Sequence, residues 1–220
     1  MKLKLSLAIL FLLQLTCMAQ SKLSSDKLTS KDYLDLALEK VNTAKSENDL
    51  QNSINEIKRI EGLDKNYWLP SYYVSYFELT QSFFTSLDKK EALLADAKER
   101  IEKLLEDKSS DQSELYTILG YYYYAKIAQN PHKNGPIYYK DVIANYKKAI
   151  SINPVNPRPR YLLDLFEDNV NSFMGKKDSN LCEKLQKDKK LFEAFNIADK
   201  NYPNWGEKEV LEHLKNCDKG

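Results

Sequence analysis

The chain has 220 residues, with 33 Lys+Arg against 32 Asp+Glu, 42% hydrophobic residues, and only 6 Gly and 7 Pro. This near-neutral balance gives no overall pull toward nucleic acid or an anionic membrane surface. Sparse Gly and Pro with abundant Leu, Lys, Glu, Ala and Tyr exclude a barrel or sandwich in favour of helices, and the length suffices for one sizeable core.

Met1-Lys2-Leu3-Lys4 forms a short positive region, followed by an apolar run from Leu5 to Leu15 broken only by Ser6 and Gln14. About 11 residues span roughly 17 Å as a helix, too short for a bilayer core. Cys17 and Ala19 supply small-x-small spacing, so residues 1–19 read as a secretory signal cleaved after Ala19, and the protein as periplasmic or secreted. Cys17 offers an alternative, a membrane-anchored lipoprotein acylated at that cysteine, although Gln14 and Thr16 depart from the usual pattern for that processing. Cleavage after Ala19 takes two residues, Lys2 and Lys4, from the 33 basic side chains and none from the 32 acidic ones, moving the net charge from +1 to −1. Residues 20–29 are polar and read as a flexible N-terminal segment.

From Ser30 onward, apolar residues recur at helical spacing between short polar or Pro-containing breaks. Ser30 can cap a helix carrying Tyr33, Leu34, Ala37, Leu38, Val41 and Ala44. Asn48 or Asp49 opens a second, with Leu50, Ile54, Ile57 and Ile60, which Gly62 to Lys65 breaks. An aromatic helix runs from Trp68 to Leu87, with Pro70 tolerated in its first turn. Asp88 opens the next, ending near Asp107. Helices over 111–130, 136–152, 157–173, 181–201 and 207–217 complete about nine, an all-α domain spanning 30–218. No stretch alternates with period two for long enough to make a strand.

Tyr116-x2-Leu119-Gly120-x2-Tyr123, followed by Val142-x3-Tyr146-x2-Ala149-x4-Pro154, resembles the tetratricopeptide repeat (TPR). In that pattern Gly120 lets the paired helix approach closely, Ala149 does the same for the adjacent repeat, and Pro154 stops the second helix. The interval from Tyr123 to Tyr146 is about ten residues longer than the pattern. The excess falls around Asn130 to Pro136, which predicts an enlarged loop between the two helices. Tyr72, Ser75, Tyr76 and Leu79, followed by Ala97, Ile101 and Leu104, fit the same template less closely. The span from about 30 to 218 is also similar to exported bacterial TPR-like proteins in Trp68-Leu69-Pro70-x-Tyr72-Tyr73 and Tyr202-Pro203-Asn204-Trp205-Gly206. The resemblance implies an α-solenoid of antiparallel helix pairs and carries no assigned activity.

Stacked helix pairs form a superhelix whose concave face is lined mainly by the first helix of each pair. The Tyr116 register places Glu114, Thr117, Tyr121 and Tyr124 there, and the preceding unit adds Tyr73, Phe77, Thr80 and Gln81. Tyrosines suit recognition because each offers a rigid apolar ring with one polar tip. Core packing competes with that reading, since Tyr121 to Tyr124 covers every side of one helical turn.

Other residues point away from chemistry. His132 and His213 lack neighbours at metal-ligand spacing. There is no Gly-rich phosphate loop or nucleophile elbow, and no cofactor is expected. Lys147, Lys148, Arg158 and Arg160 read as a solvated basic cluster. Cys182 and Cys217 are the cysteines left after signal cleavage and form a candidate disulfide, with two free thiols as the alternative. Trp205 is expected to pack on the C-terminal helices, with Gly206 turning the chain tightly after it. The sequence thus points to an exported TPR-like scaffold, not an enzyme, that binds a protein or peptide. An envelope-associated structural component and an accessory subunit of an enzyme remain alternatives.

Overall fold

The computed structural model describes residues 28–176 and 180–217; the expected signal peptide, Cys17, most of the 20–29 segment and residue 218 lie outside them. Among the described residues there are nine α-helices and no strand. They are α1 (Ser30–Thr43), α2 (Glu47–Leu63), α3 (Trp68–Ser82), α4 (Leu87–Glu106), α5 (Gln112–Gln129), α6 (Pro131–Ile152), α7 (Pro157–Phe173), α8 (Leu181–Ala194) and α9 (Glu207–Cys217).

Local chemistry sets the helix ends and moves several of them from their expected places. Thr29, rather than Ser30, caps α1: its hydroxyl accepts from the Asp32 backbone, and the Asp32 carboxylate accepts from the Thr29 N–H. This reciprocal pairing satisfies two otherwise orphaned donors. Ser46 caps α2 by accepting from the Asp49 N–H alone, ahead of Asn48 and Asp49. α3 stops at Ser82, short of Leu87, and Ser86 precedes α4.

The expected loop enlargement at 130–136 is corrected. The additional residues lengthen α5 and α6, leaving Asn130 alone between them. Asn130 ends one helix and caps the other through Lys133 N, and Pro131 fits the first helical position, where a missing N–H costs nothing. Pro136 lies inside α6 instead of starting it. α8 ends at Ala194, well before Asn201, because Phe195 turns its ring onto Arg158 and Tyr202. Tertiary contact here outweighs helical propensity.

Consecutive helices pack on each other, and α3, α5 and α7, the first helices of successive pairs, also touch across the pairs. That pattern is a solenoid-like stack. One core cluster runs from α1 to α5 and a second from α5 to α9, with Tyr121, Tyr123 and Trp205 packed against both. The closest join is α5 on α6: a Cβ on Gly120 would come within 2.7 Å of the buried Tyr146 ring. A bond between Cys182 and Cys217 ties the start of α8 to the end of α9, with Cα atoms 5.9 Å apart.

Candidate binding site

The first helices of the pairs present a polar and aromatic inner face, and most of it is already in use. Glu114 of α5 is fully buried. Arg158 of α7 donates to it from Nε at 2.9 and 3.0 Å and from Nη2 at 2.6 Å. Tyr72 Oη and Asn156 Nδ2 donate to the same carboxylate at 2.8 and 2.7 Å. Burial works against the Arg158 charge, but Glu114 more than compensates and holds the guanidinium protonated. Burial, then the Glu114 charge, pushes the Tyr72 hydroxyl well above its ordinary range.

A non-helical segment, residues 195–206, lies across this face. Trp205 stacks on Tyr76 at 4.5 Å between centroids and donates from Nε1 to Tyr72 Oη at 3.0 Å. The Phe195, Tyr202 and Trp205 rings stand 5.1, 5.7 and 5.7 Å from the Arg158 guanidinium carbon. Tyr202 donates to Asp111 at 2.6 Å, and Asn201 Nδ2 to the Lys31 carbonyl at 2.7 Å. The segment therefore touches α1, α3, α5 and α7, much as a peptide would sit in such a groove.

This arrangement relocates the residues expected to face a partner. Tyr73 is buried and donates to the Asn201 carbonyl at 3.0 Å; Glu114 belongs to the polar hub; Thr117 is buried and bonds its own helix at Ser113 O. None of these three is open to a partner. Phe77 packs on Tyr73 and Tyr76, and Thr80 bonds the Tyr76 carbonyl. Tyr121 stacks on Phe83, and Tyr124 meets Phe166 edge-on while accepting from Asn169. Arg158 is not part of a solvated basic cluster. Trp205 packs on α3 as well as against the core cluster that holds α8 and α9, and Gly206 does turn the chain at φ +105.

Gln81 is the expected groove residue that faces an open cavity. A cleft of about 1070 Å³ opens beside it, walled by α2 and α4 over the C-terminal half of α3. Val41, Leu50 and Leu93 give it apolar surface, and Phe84 at its rim is 88% exposed. At its floor the buried Glu78 carboxylate pairs with Lys58 from α2 at 2.7 Å and Arg100 from α4 at 2.9 Å. Burial pushes the Glu78 carboxyl up to about 7, against the two cations, which lower it. Arg100 also holds Glu61 at 2.8 Å and Asp96 at 3.3 Å. No sequence pattern announced this cleft, because its walls come from the second helices of two pairs; the apolar Phe83-Phe84 at a helix end was the available signal.

Among the described residues, no group of three His, Cys, Asp or Glu converges on a metal-sized space. His132 lies against the Phe173 ring at 4.9 Å, and His213 is exposed on α9. No helix there is long and apolar enough to cross a membrane.

No protein-family model matches the chain, and no curated protein matches it. Among solved structures, the HusA haemophore from Porphyromonas gingivalis superposes with a TM-score of 0.63 at 19% identity, covering 88% of this chain and 87% of that one. The likeness is one of fold: a helical architecture shared across nearly the whole length of both chains.

Proposed function

We propose that this chain is an exported, non-catalytic binding protein of TPR-like build that holds its partner in the cleft between α2 and α4. The observation that carries this is the cleft itself: about 1070 Å³, with apolar walls, charged groups at its floor and an unsatisfied aromatic side chain at its rim. That volume lies at the upper end of the roughly 300–1,000 Å³ of ordinary ligand sites. The inner face is a poorer candidate because residues 195–206 cover it. A protein or peptide segment bearing a few apolar side chains would suit the cleft, by the helix-in-groove mode.

A second reading, a haem-type ligand, draws support from the fold shared with a haemophore. The cleft lining contains no His, Cys, Met or Tyr. Recognition there would therefore fall on the ring and its carboxylates, not on the iron, which such side chains ordinarily ligate. Titration of the purified protein with haemin, with iron-free protoporphyrin IX and with peptides captured by cross-linking in intact envelopes tests both readings. Phe84→Ser should weaken whichever ligand binds. A ligand bound equally well by that variant, or no binding by any of these, would sink the cleft assignment.

A further inference from the structure

The charge on α6 is one-sided: four lysines, Lys133, Lys140, Lys147 and Lys148, stand against one carboxylate, Asp141. Its neighbours in the chain, α5 and α7, carry at least as many carboxylates as cations. At about 100° per residue, Lys133, Lys140, Ala144 and Lys147 fall within about 60° of one another, with Ile137 and Lys148 bordering them. That arc lies opposite the buried Val142, Tyr146 and Ala149, so it is the outward pole of the helix. Its lysines are exposed, and Lys133 to Lys147 spans about 21 Å along the axis. None of the four has a carboxylate within ion-pair distance among the described residues. Asp141 is about 100° round the helix from Lys140. The α7 carboxylates Asp164, Glu167 and Asp168 line the seam with α8 instead, round Lys184.

One edge of this basic arc is apolar. His132 lies against Phe173 at 4.9 Å between ring centroids and Tyr139 against Phe166 at 5.6 Å, which sets the start of α6 beside the end of α7. There Phe173 and Met174 are 57% and 55% exposed, and Gly175, at φ +73, turns the chain into the exposed Lys176. Ile137, also exposed, stands among the lysines. We infer that α6 and the end of α7 form a docking face for an anionic lipid surface, with Lys133, Lys140, Lys147 and Lys176 on the headgroups and Phe173 and Met174 inserted beneath them. The chain as a whole is near neutral, so the attraction is local to this face. The apolar edge is what favours a bilayer over an acidic protein. Either would supply counter-charge to the lysines, but a lipid surface also takes two adjacent apolar side chains out of water just below its charged layer. Attachment of this kind needs no membrane-crossing helix and is reversible and sensitive to salt.

The test sediments the full mature chain, beginning at Gln20, with vesicles of phosphatidylcholine alone and of phosphatidylcholine carrying about one-third phosphatidylglycerol. It should bind the anionic vesicles roughly tenfold tighter or more, and lose that preference as salt rises from about 0.1 to about 0.5 M. Lys133→Gln, Lys140→Gln and Lys147→Gln combined should weaken binding about a hundredfold, at roughly fivefold for each lysine. Phe173→Ser should weaken it about tenfold. Lys187→Gln, Lys189→Gln and Lys190→Gln combined take the same charge from α8 and should leave it unchanged. All of these side chains lie at the surface, so each variant keeps its fold, which circular dichroism checks. Equal binding to both kinds of vesicle, or a loss as large for the α8 variant as for the α6 one, would overturn the inference. Phe173→Ser binding as tightly as the parent would overturn it too, and displacement by soluble polyglutamate would then assign the face to an acidic protein.

Discussion

The inner face and the α2–α4 cleft are built from the same helix and end in opposite states. Tyr72, Tyr73 and Tyr76 of α3 turn inward and are covered by residues 195–206; Glu78 and Gln81, one to two turns later, meet an open cleft. The covered face has nearly every polar tip paired and its rings stacked edge or face on neighbours. The open one leaves an exposed phenylalanine, Phe84, and two lysines, Lys45 and Lys89, that form no ion pair among the described residues. Residues chosen for rigidity occupy the first and residues free to re-pair occupy the second, so aromatic richness is a poor guide to which surface of a helical stack binds a partner.

The largest expected effect falls on the covered face. Glu114→Ala leaves the Arg158 guanidinium buried without its anion, and chemical denaturation should show a loss of about 3–5 kcal/mol. Glu114→Leu combined with Arg158→Met should recover much of that loss. A single variant as stable as the parent would mean that the face is wetter than its geometry indicates. Trp205→Ala removes the ring stacked on Tyr76 and should cost about 3 kcal/mol by the same measurement. Gly206→Ala follows at roughly 2 kcal/mol: it must hold φ +105 and bring a Cβ within 2.7 Å of the Phe192 ring.

The next prediction concerns pH and involves both halves of the molecule. Burial, and for Asp188 the neighbouring Asp164 charge, raises the Glu78 and Asp188 carboxyls to about 7 from their usual range. The folded state then prefers these groups protonated. Their contribution is full below about pH 4.5 and is lost as pH rises through about 7. The melting temperature should decline over that interval, by on the order of 2 kcal/mol for each group in free-energy terms. Glu78→Gln and Asp188→Asn should each flatten part of the decline; a profile rising through the interval contradicts the assignment. Phe84→Ser should have the smallest effect on stability, within about 0.5 kcal/mol, because the ring packs against little in the free protein. Only ligand binding should register that change.

Much of the scaffold was readable from the residues alone. Helical spacing of Leu34, Ala37, Ile54, Ile57, Ala97 and Ile101 picks out residues that are indeed buried, and Gly120 does admit the Tyr146 ring. Helix ends were less legible because competing caps such as Thr29 and Ser30, or Pro131 and Pro136, differ only in which neighbours complete the hydrogen bonds. The occupancy of the inner face was hidden for a stronger reason. Arg158 reads as an exposed residue following Pro157, and nothing local to it reveals a glutamate 44 positions earlier. Likewise, the helical periodicity of 181–201 gave no hint that Phe195 would leave the helix for a cation on another pair.

The position of residues 195–206 in the chain has a bearing on how the protein is made. They follow α1 through α8 in sequence but supply contacts to α1, α3, α5 and α7. Synthesis runs from the N-terminus, so each helix pair can stack on the one before it as it emerges. The Arg158–Glu114 pair, however, waits for its aromatic cover until residues 195–206, synthesised after α8, arrive. Up to that moment the growing stack is a partly finished object with a charged, aromatic trough along one side, the kind of surface a chaperone would hold. Completion of that face thus waits on residues 195–206: a product truncated before Phe195 would keep α1 to α8 and still lack the strap that joins them.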